Sequence, residues 1–252
     1  MDEAHLGRRA TRGTRAKIAL GIGTGLLLAG AIAIGGATGA VGALTSHLPT
    51  TASTAAPVGS VLSASAGREP VVVAIGDSIM DGHGTKADQA WPVLIGQKND
   101  WSLTNLSSDG SGFLQLGDAG DTFATQVQKA VALNPSIVII SASSNDLGQD
   151  DAALSTTTMQ TMVALRTALP YAQIIALSAF WGDTTPPAEL DPIDADLQAA
   201  AQTVGARYID IGQPLSGRPD LMQGDDVHPT AEGLSVLASA IDADIEAPPT
   251  GS

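Results

Sequence analysis

Between residues 70 and 246 the chain alternates short, β-branched apolar runs with longer stretches of helical spacing. Runs at 70–75, 101–106, 136–141, 172–179 and 207–211 read as five strands. The segments 87–97, 122–132, 152–169, 188–204 and 230–245 carry the apolar periodicity of helices. Strands that return through helices run parallel to one another, because a parallel neighbour needs a long crossover. The alternation therefore predicts an α/β fold, a parallel sheet covered by helices on both faces, with ligand chemistry outside the carboxyl ends of the strands.

Charge narrows the function classes. The 252 residues hold 12 Lys+Arg against 26 Asp+Glu, a net charge of -14, and a surface so acidic lacks the basic groups that displace counterions from nucleic acid. The imbalance is uneven. Arg8, Arg9, Arg12, Arg15 and Lys17 against Asp2 and Glu3 make residues 1–17 +3, which leaves -17 for the rest. Residues 18–44 contain no charge and exceed the roughly 20 residues that span a bilayer as a helix. A basic tail ahead of such a run predicts a cytoplasmic N-terminus and an exported remainder, membrane-held through the helix, or secreted if the segment is cut. Its length favours an anchor over a cleaved signal, although Val41, Gly42 and Ala43 offer a small-residue cleavage site. Arg8-Arg9 lacks the residues that follow a twin-arginine pair. Gly21, Gly23 and Gly25 lack the third glycine position and preceding strand of a dinucleotide fingerprint. Residues 45–69, rich in Ser, Thr, Ala and Pro, read as a flexible linker, residues 70–246 as one domain, and 247–252 as a disordered tail. With no cysteine, thiol nucleophiles, zinc-thiolate sites and disulfides are excluded.

The residues that follow the strands carry the chemistry. Gly76-Asp77-Ser78-Ile79 follows the first, Asn105 to Gly112 the second, Ser143-Ser144-Asn145-Asp146 the third, and Asp225-Asp226-Val227-His228 the fifth. Ser78 stands at a strand-to-loop turn between Gly76 and Gly82, where a hydroxyl projects and a backbone N–H faces an incoming carbonyl oxygen. His5 and His47 fall in the tail and linker, which leaves His83 and His228 as bases for the domain. Asp225 lies three residues before His228, close enough to hold one ring nitrogen and leave the other to take the serine proton. Asn145 supplies a side-chain amide, and Gly110 an unobstructed backbone N–H, for a tetrahedral oxyanion. Gly112 competes with Gly110 for that place.

These four blocks, in this order, resemble those of the SGNH hydrolases, also called GDSL esterases and lipases, over the whole of residues 70–246. The resemblance implies a three-layer α/β/α sandwich with a five-stranded parallel sheet, similar to flavodoxin. It also implies Ser78 as nucleophile, His228 as base and Asp225 as its orienting partner, with the Ser78 N–H, Gly110 and Asn145 as the oxyanion hole. Two positions depart from the family pattern: Ile79 stands where leucine is frequent, and Ser143 where glycine is usual.

The resulting expectation is an extracytoplasmic serine hydrolase that cleaves an acyl ester through an acyl-enzyme, without cofactor or metal, on a small or envelope-derived substrate. An O-acyltransferase and a non-catalytic binding module of the same fold are the alternatives. The G-x-S-x-G elbow is absent, since Met80 follows Ser78 by two residues, and the phosphate-loop spacing fails around Gly82 to Lys86. Asp191, Asp194 and Asp196 lack the glycine and distal glutamate of a calcium loop and read as a solvated helix face. Phe113, Leu114, Phe180 and Trp181 are placed either to line an acyl pocket or to pack the rim.

Overall fold

A computed structural model describes residues 68–248. The expected tail, membrane segment and most of the linker lie outside the described residues; among those described, no helix is long and apolar enough to cross a membrane. Five strands form one parallel sheet: β1 (Val71–Ile75), β2 (Ser102–Asn105), β3 (Ile137–Ser141), β4 (Gln173–Leu177) and β5 (Arg207–Ile209). Their spatial order is β2-β1-β3-β4-β5, all neighbours parallel, with Val73 opposite Thr104 on one side and Val138 on the other. Such an order reverses direction at β1, so the loops after β1 and β3 flank a crevice at the carboxyl edge.

The central strands bury both faces, which is why they read as continuous apolar runs. Val72 to Ile75 are fully buried, and successive residues serve opposite cores. Val73, Ile75, Val138, Ile140, Ile174 and Ala176 pack beneath α3 (Phe123–Leu133), α4 (Asp151–Ala168) and α5 (Leu190–Thr203). Val72, Ala74, Ile137, Ile139, Ile175 and Leu177 pack beneath α2 (Trp91–Lys98) and α6 (Ala231–Glu246). Two cores on one sheet make three layers, each buried aliphatic side chain contributing about 1.5–3 kcal/mol.

Differences from the sequence-based boundaries have local causes. The helix expected from residue 87 begins at Trp91; a 3₁₀ turn covers Ala87–Gln89, and Ala90 breaks the run with ψ of 135°. Pro92 then sits in the first helical turn, where its missing N–H costs nothing. The strand expected over 172–179 closes at Leu177, and that over 207–211 closes at Ile209. A one-turn helix, α1 (Ser78–Asp81), was not foreseen. Too short for periodicity to reveal, it is set by its caps: the Asp77 carboxylate accepts from the Ile79 N–H, and Gly82 turns out at φ 79°.

Candidate active site

Ser78 is the first residue of α1, 7% exposed, at the edge where β1 ends. The turn before it is tightly held. A Cβ on Gly76 would meet Met80 Sδ at 2.7 Å, so the position admits only glycine without displacement. The Gln126 side chain, fully buried on α3, clamps the Gly76 peptide from both sides, accepting from its N–H and donating to its carbonyl at 3.0 Å each. Ser111 Oγ lies 3.0 Å from the same carbonyl.

The loop after the short 3₁₀ turn Pro219–Leu221 brings His228 to this edge. His228 Nε2 lies 2.9 Å from Ser78 Oγ, and His228 Nδ1 lies 2.7 Å from Asp225 Oδ2. The other Asp225 oxygen accepts from the backbone N–H groups of Val227 and His228, each at 3.0 Å. The hydrogen bond to the His228 ring, then those two backbone bonds, hold the Asp225 carboxyl well below the usual carboxylate range. Asp225 therefore stays ionised, fixes the ring and leaves Nε2 toward the serine. Asp226, its neighbour, is exposed and plays no part in these contacts.

Ser78, Gly110, Asn145 and His228 line one cavity of about 180 Å³. Gly110 adopts φ 71°, a backbone conformation suited to glycine. Gly112, the competing glycine, does not line the cavity: its N–H donates to the Gln115 carbonyl, and a Cβ there would meet the Asp146 carboxylate at 2.6 Å. Asp146, itself buried, accepts from the N–H groups of Phe113, Leu114 and Gln115 at 2.7, 3.0 and 2.9 Å and so ties the loop after β2 to that after β3. Asn145 is fixed through its side-chain amide to the Ser111 carbonyl at 3.0 Å, which leaves its second N–H for a ligand.

Ser143 occupies one of the two positions that depart from the family pattern. Its Oγ, fully buried, lies 2.6 Å from Asp77 Oδ2 and accepts from the Asn145 N–H at 3.1 Å. One hydroxyl thus joins the cap of the Ser78 turn to the turn carrying Asn145. Burial pushes the Asp77 carboxyl up, opposed by its hydrogen bonds from Ser143 and the backbone.

For the aromatic and leucine candidates after β2 and β4, left open between lining and packing, the structure shows packing. Phe113 and Phe180 are buried in the two cores, Leu114 and Trp181 pack against one of them, and none of the four lines the cavity at Ser78. Asp194 is not part of a solvated face: its Oδ1 accepts from the Ala179 N–H at 2.7 Å. Burial, with repulsion from Asp210 and Asp191 added, pushes its carboxyl up to about 6. His83 does not approach Ser78 as the base; its Nδ1 pairs with Asp109 Oδ2 at 2.5 Å, and its ring lies 4.2 Å from that of His228. A glutamine on an apolar helix face was the available signal for Gln126; nothing local marks Asp109 as a histidine partner.

A doubly wound parallel sheet with serine, asparagine and an Asp-x-x-His pair at one edge defines a class of ester-cleaving hydrolases. The profile of the GDSL-like lipase/acylhydrolase family matches residues 74–235, and the chain belongs to that family, the esterases of the SGNH type. No curated protein sequence matches it. Among solved structures, TesA superposes with a TM-score of 0.57 at 20% identity, covering 70% of this chain and 98% of its own. The esterase EstA from Pseudoalteromonas sp., inhibited by monoethylphosphonate, gives 0.57 at 18% identity over 71% and 97%. A family two carbohydrate esterase from Clostridium thermocellum, in complex with cellohexaose, gives 0.55 at 16% identity, covering 71% of this chain and 65% of that one. Identities this low describe a shared fold.

Proposed function

We propose that the protein hydrolyses a carboxylic ester through an acyl-enzyme on Ser78, with His228 as general base and Asp225 as its orienting partner. The observation that carries this reading is the unbroken run of contacts from Ser78 Oγ through the His228 ring to Asp225. Ser78 Oγ attacks the ester carbonyl while its proton passes to His228 Nε2; the carbonyl π electrons move onto oxygen. The oxyanion is received by the Ser78 N–H at the start of α1, the Gly110 N–H and the free Asn145 amide proton. Donors of this kind contribute about 10²–10³ in rate each. Collapse expels the alcohol, which takes the proton from His228, and water repeats the sequence to release the acid and restore the serine.

The cationic tail and uncharged run at residues 18–44 support an extracytoplasmic placement of this chemistry, with the N-terminus cytoplasmic. The test of the catalytic reading is Ser78→Ala. Hydrolysis of short nitrophenyl esters should fall by about 10⁴-fold or more while the thermal melt is preserved. A variant that retains wild-type turnover would remove Ser78 from the mechanism.

A further inference from the structure

The catalytic histidine has a second histidine stacked against it, which the ester chemistry does not use. His83 Nδ1 is held by Asp109 just as His228 Nδ1 is held by Asp225, at 2.5 and 2.7 Å. Both rings therefore have Nδ1 fixed on a carboxylate, and both line the cavity at Ser78, with centroids 4.2 Å apart and planes tilted by 32°. A metal-binding histidine characteristically has its second ring nitrogen on a carboxylate, which fixes the ring and raises its basicity, and Asp109 is so placed for His83. One ligand atom from each of His83, Asp225 and His228 lies within 4.8 Å of the other two. The two loops are also tied together: the Gln223 side chain donates to the carbonyls of His83 and Pro229 at 2.7 and 2.9 Å.

We propose that His83, His228 and Asp225 bind a zinc ion that holds the hydrolase inactive. Two imidazoles and a carboxylate are a donor set that suits zinc rather than calcium or magnesium, and three protein ligands leave a fourth position for water. Ligands at zinc distances sit about 3.3 Å apart, so separations of up to 4.8 Å close by at most about 1.5 Å on binding, while the 2.7 Å contact between His228 Nδ1 and Asp225 opens slightly. The His83 side chain, 42% exposed, has the freedom to make that movement. Nearby Asp109 and Asp118 add negative charge to the cavity wall, which favours a cation. The ion takes His228 Nδ1, the nitrogen beside Asp225, in place of the hydrogen that this nitrogen donates to the carboxylate. The neutral ring then carries its one hydrogen on Nε2, which faces Ser78 Oγ and has no lone pair left to receive the serine proton. The proton stays on Ser78, and no acyl-enzyme forms.

The binding site stands on geometry alone, and only its effect on turnover rests on His228 as the base. The test uses the full-length chain stripped of metal with EDTA, titrated with zinc chloride by calorimetry and assayed on a nitrophenyl ester with zinc or with EDTA. The wild-type chain should bind zinc at this site and lose activity on its addition. His83→Ala should lose that binding event, and its rate with zinc should equal its own rate with EDTA. Asp109→Asn, which touches no proposed ligand atom other than through His83, should weaken zinc by about 10- to 100-fold. Zinc affinity unchanged in both variants would overturn the proposal. If no chain hydrolyses the ester, the ester-hydrolase reading fails, while the calorimetric comparison still decides the zinc site.

Discussion

Replacing Ser143 with alanine removes a fully buried hydroxyl whose partners belong to three different loops. Its Oγ lies 2.6 Å from Asp77 Oδ2, 3.2 Å from the Ser111 carbonyl and 3.1 Å from the Asn145 N–H. The hydroxyl serves both states of Asp77. Toward an ionised carboxylate it donates; from a protonated one it accepts and turns its own hydrogen to the Ser111 carbonyl. Alanine does neither, so a buried carboxyl and a half-buried turn each lose a partner. A hydrogen bond to a charged group contributes about 1.5–3 kcal/mol and a side-chain cap about 1 kcal/mol, so the expected loss is about 2–3 kcal/mol. For a domain of this size that lowers Tm by about 5–10 °C. Because Ser143 also aims Asn145, kcat should fall by about tenfold with KM nearly unchanged, the pattern of a donor felt mainly in the transition state. Differential scanning calorimetry and steady-state kinetics on a nitrophenyl ester measure both. A variant with wild-type Tm and kcat would refute the idea that this serine couples the two turns.

Two further outcomes follow from charge. The Asp194 carboxyl, pushed up to about 6 from 3.8 by burial first, takes up a proton on folding between those values. Its contribution to stability is therefore greatest below pH 4 and is lost as pH rises through 6; with solvent screening allowed for, the loss is about 1–2 kcal/mol. Asp194→Asn keeps an oxygen for the Ala179 N–H, so its Tm relative to wild type should rise by about 3–6 °C between pH 4 and pH 7.5, and a constant difference would contradict the assignment. Asp109 and Asp118 in the cavity wall should also make an anionic ester a poorer substrate than its neutral isostere. The discrimination in kcat/KM should shrink in about 0.5 M salt, and a salt-independent ratio would show that these carboxylates do not face the substrate.

The parallel sheet was legible because its strands are buried on both faces, so Val71–Ile75 and Ile137–Ser141 stand out as unbroken apolar runs between amphipathic helices. Strands β4 and β5 end earlier than their apolar runs because apolar character continues into the loops: Ala179 and Ile211 are buried without being in the ladder. At the site, Ser78, Asn145, Asp225 and His228 were singled out because their chemistry is tied to short local spacings and to strand ends, and the fold brings Ser78, Asn145 and His228 around one cavity. Gly110 could be separated from Gly112 only by its surroundings, since both are glycines in one loop and the Asp146 carboxylate that fills the space at Gly112 lies 34 residues away. The His83–Asp109 pair spans 26 residues and two loops, and so has no local signature. The aromatics after β2 and β4 illustrate the reverse case, where position after a strand left lining and packing both open and the fold decides it: Phe113 is taken up by edge-on packing against Phe123 in the core.

The central claim is a covalent acyl-enzyme on Ser78, and reaction with a fluorophosphonate followed by intact-mass and peptide mass spectrometry tests it most directly. The account predicts one adduct per chain, carried by the peptide that begins the loop after β1 and assigned to Ser78, with loss of esterase activity in step with labelling. It also predicts labelling slowed by about 10³-fold or more in His228→Ala, where no base takes the serine proton. A fully inactivated protein whose adduct lies on another residue, or an active protein that the reagent leaves unlabelled, would contradict it.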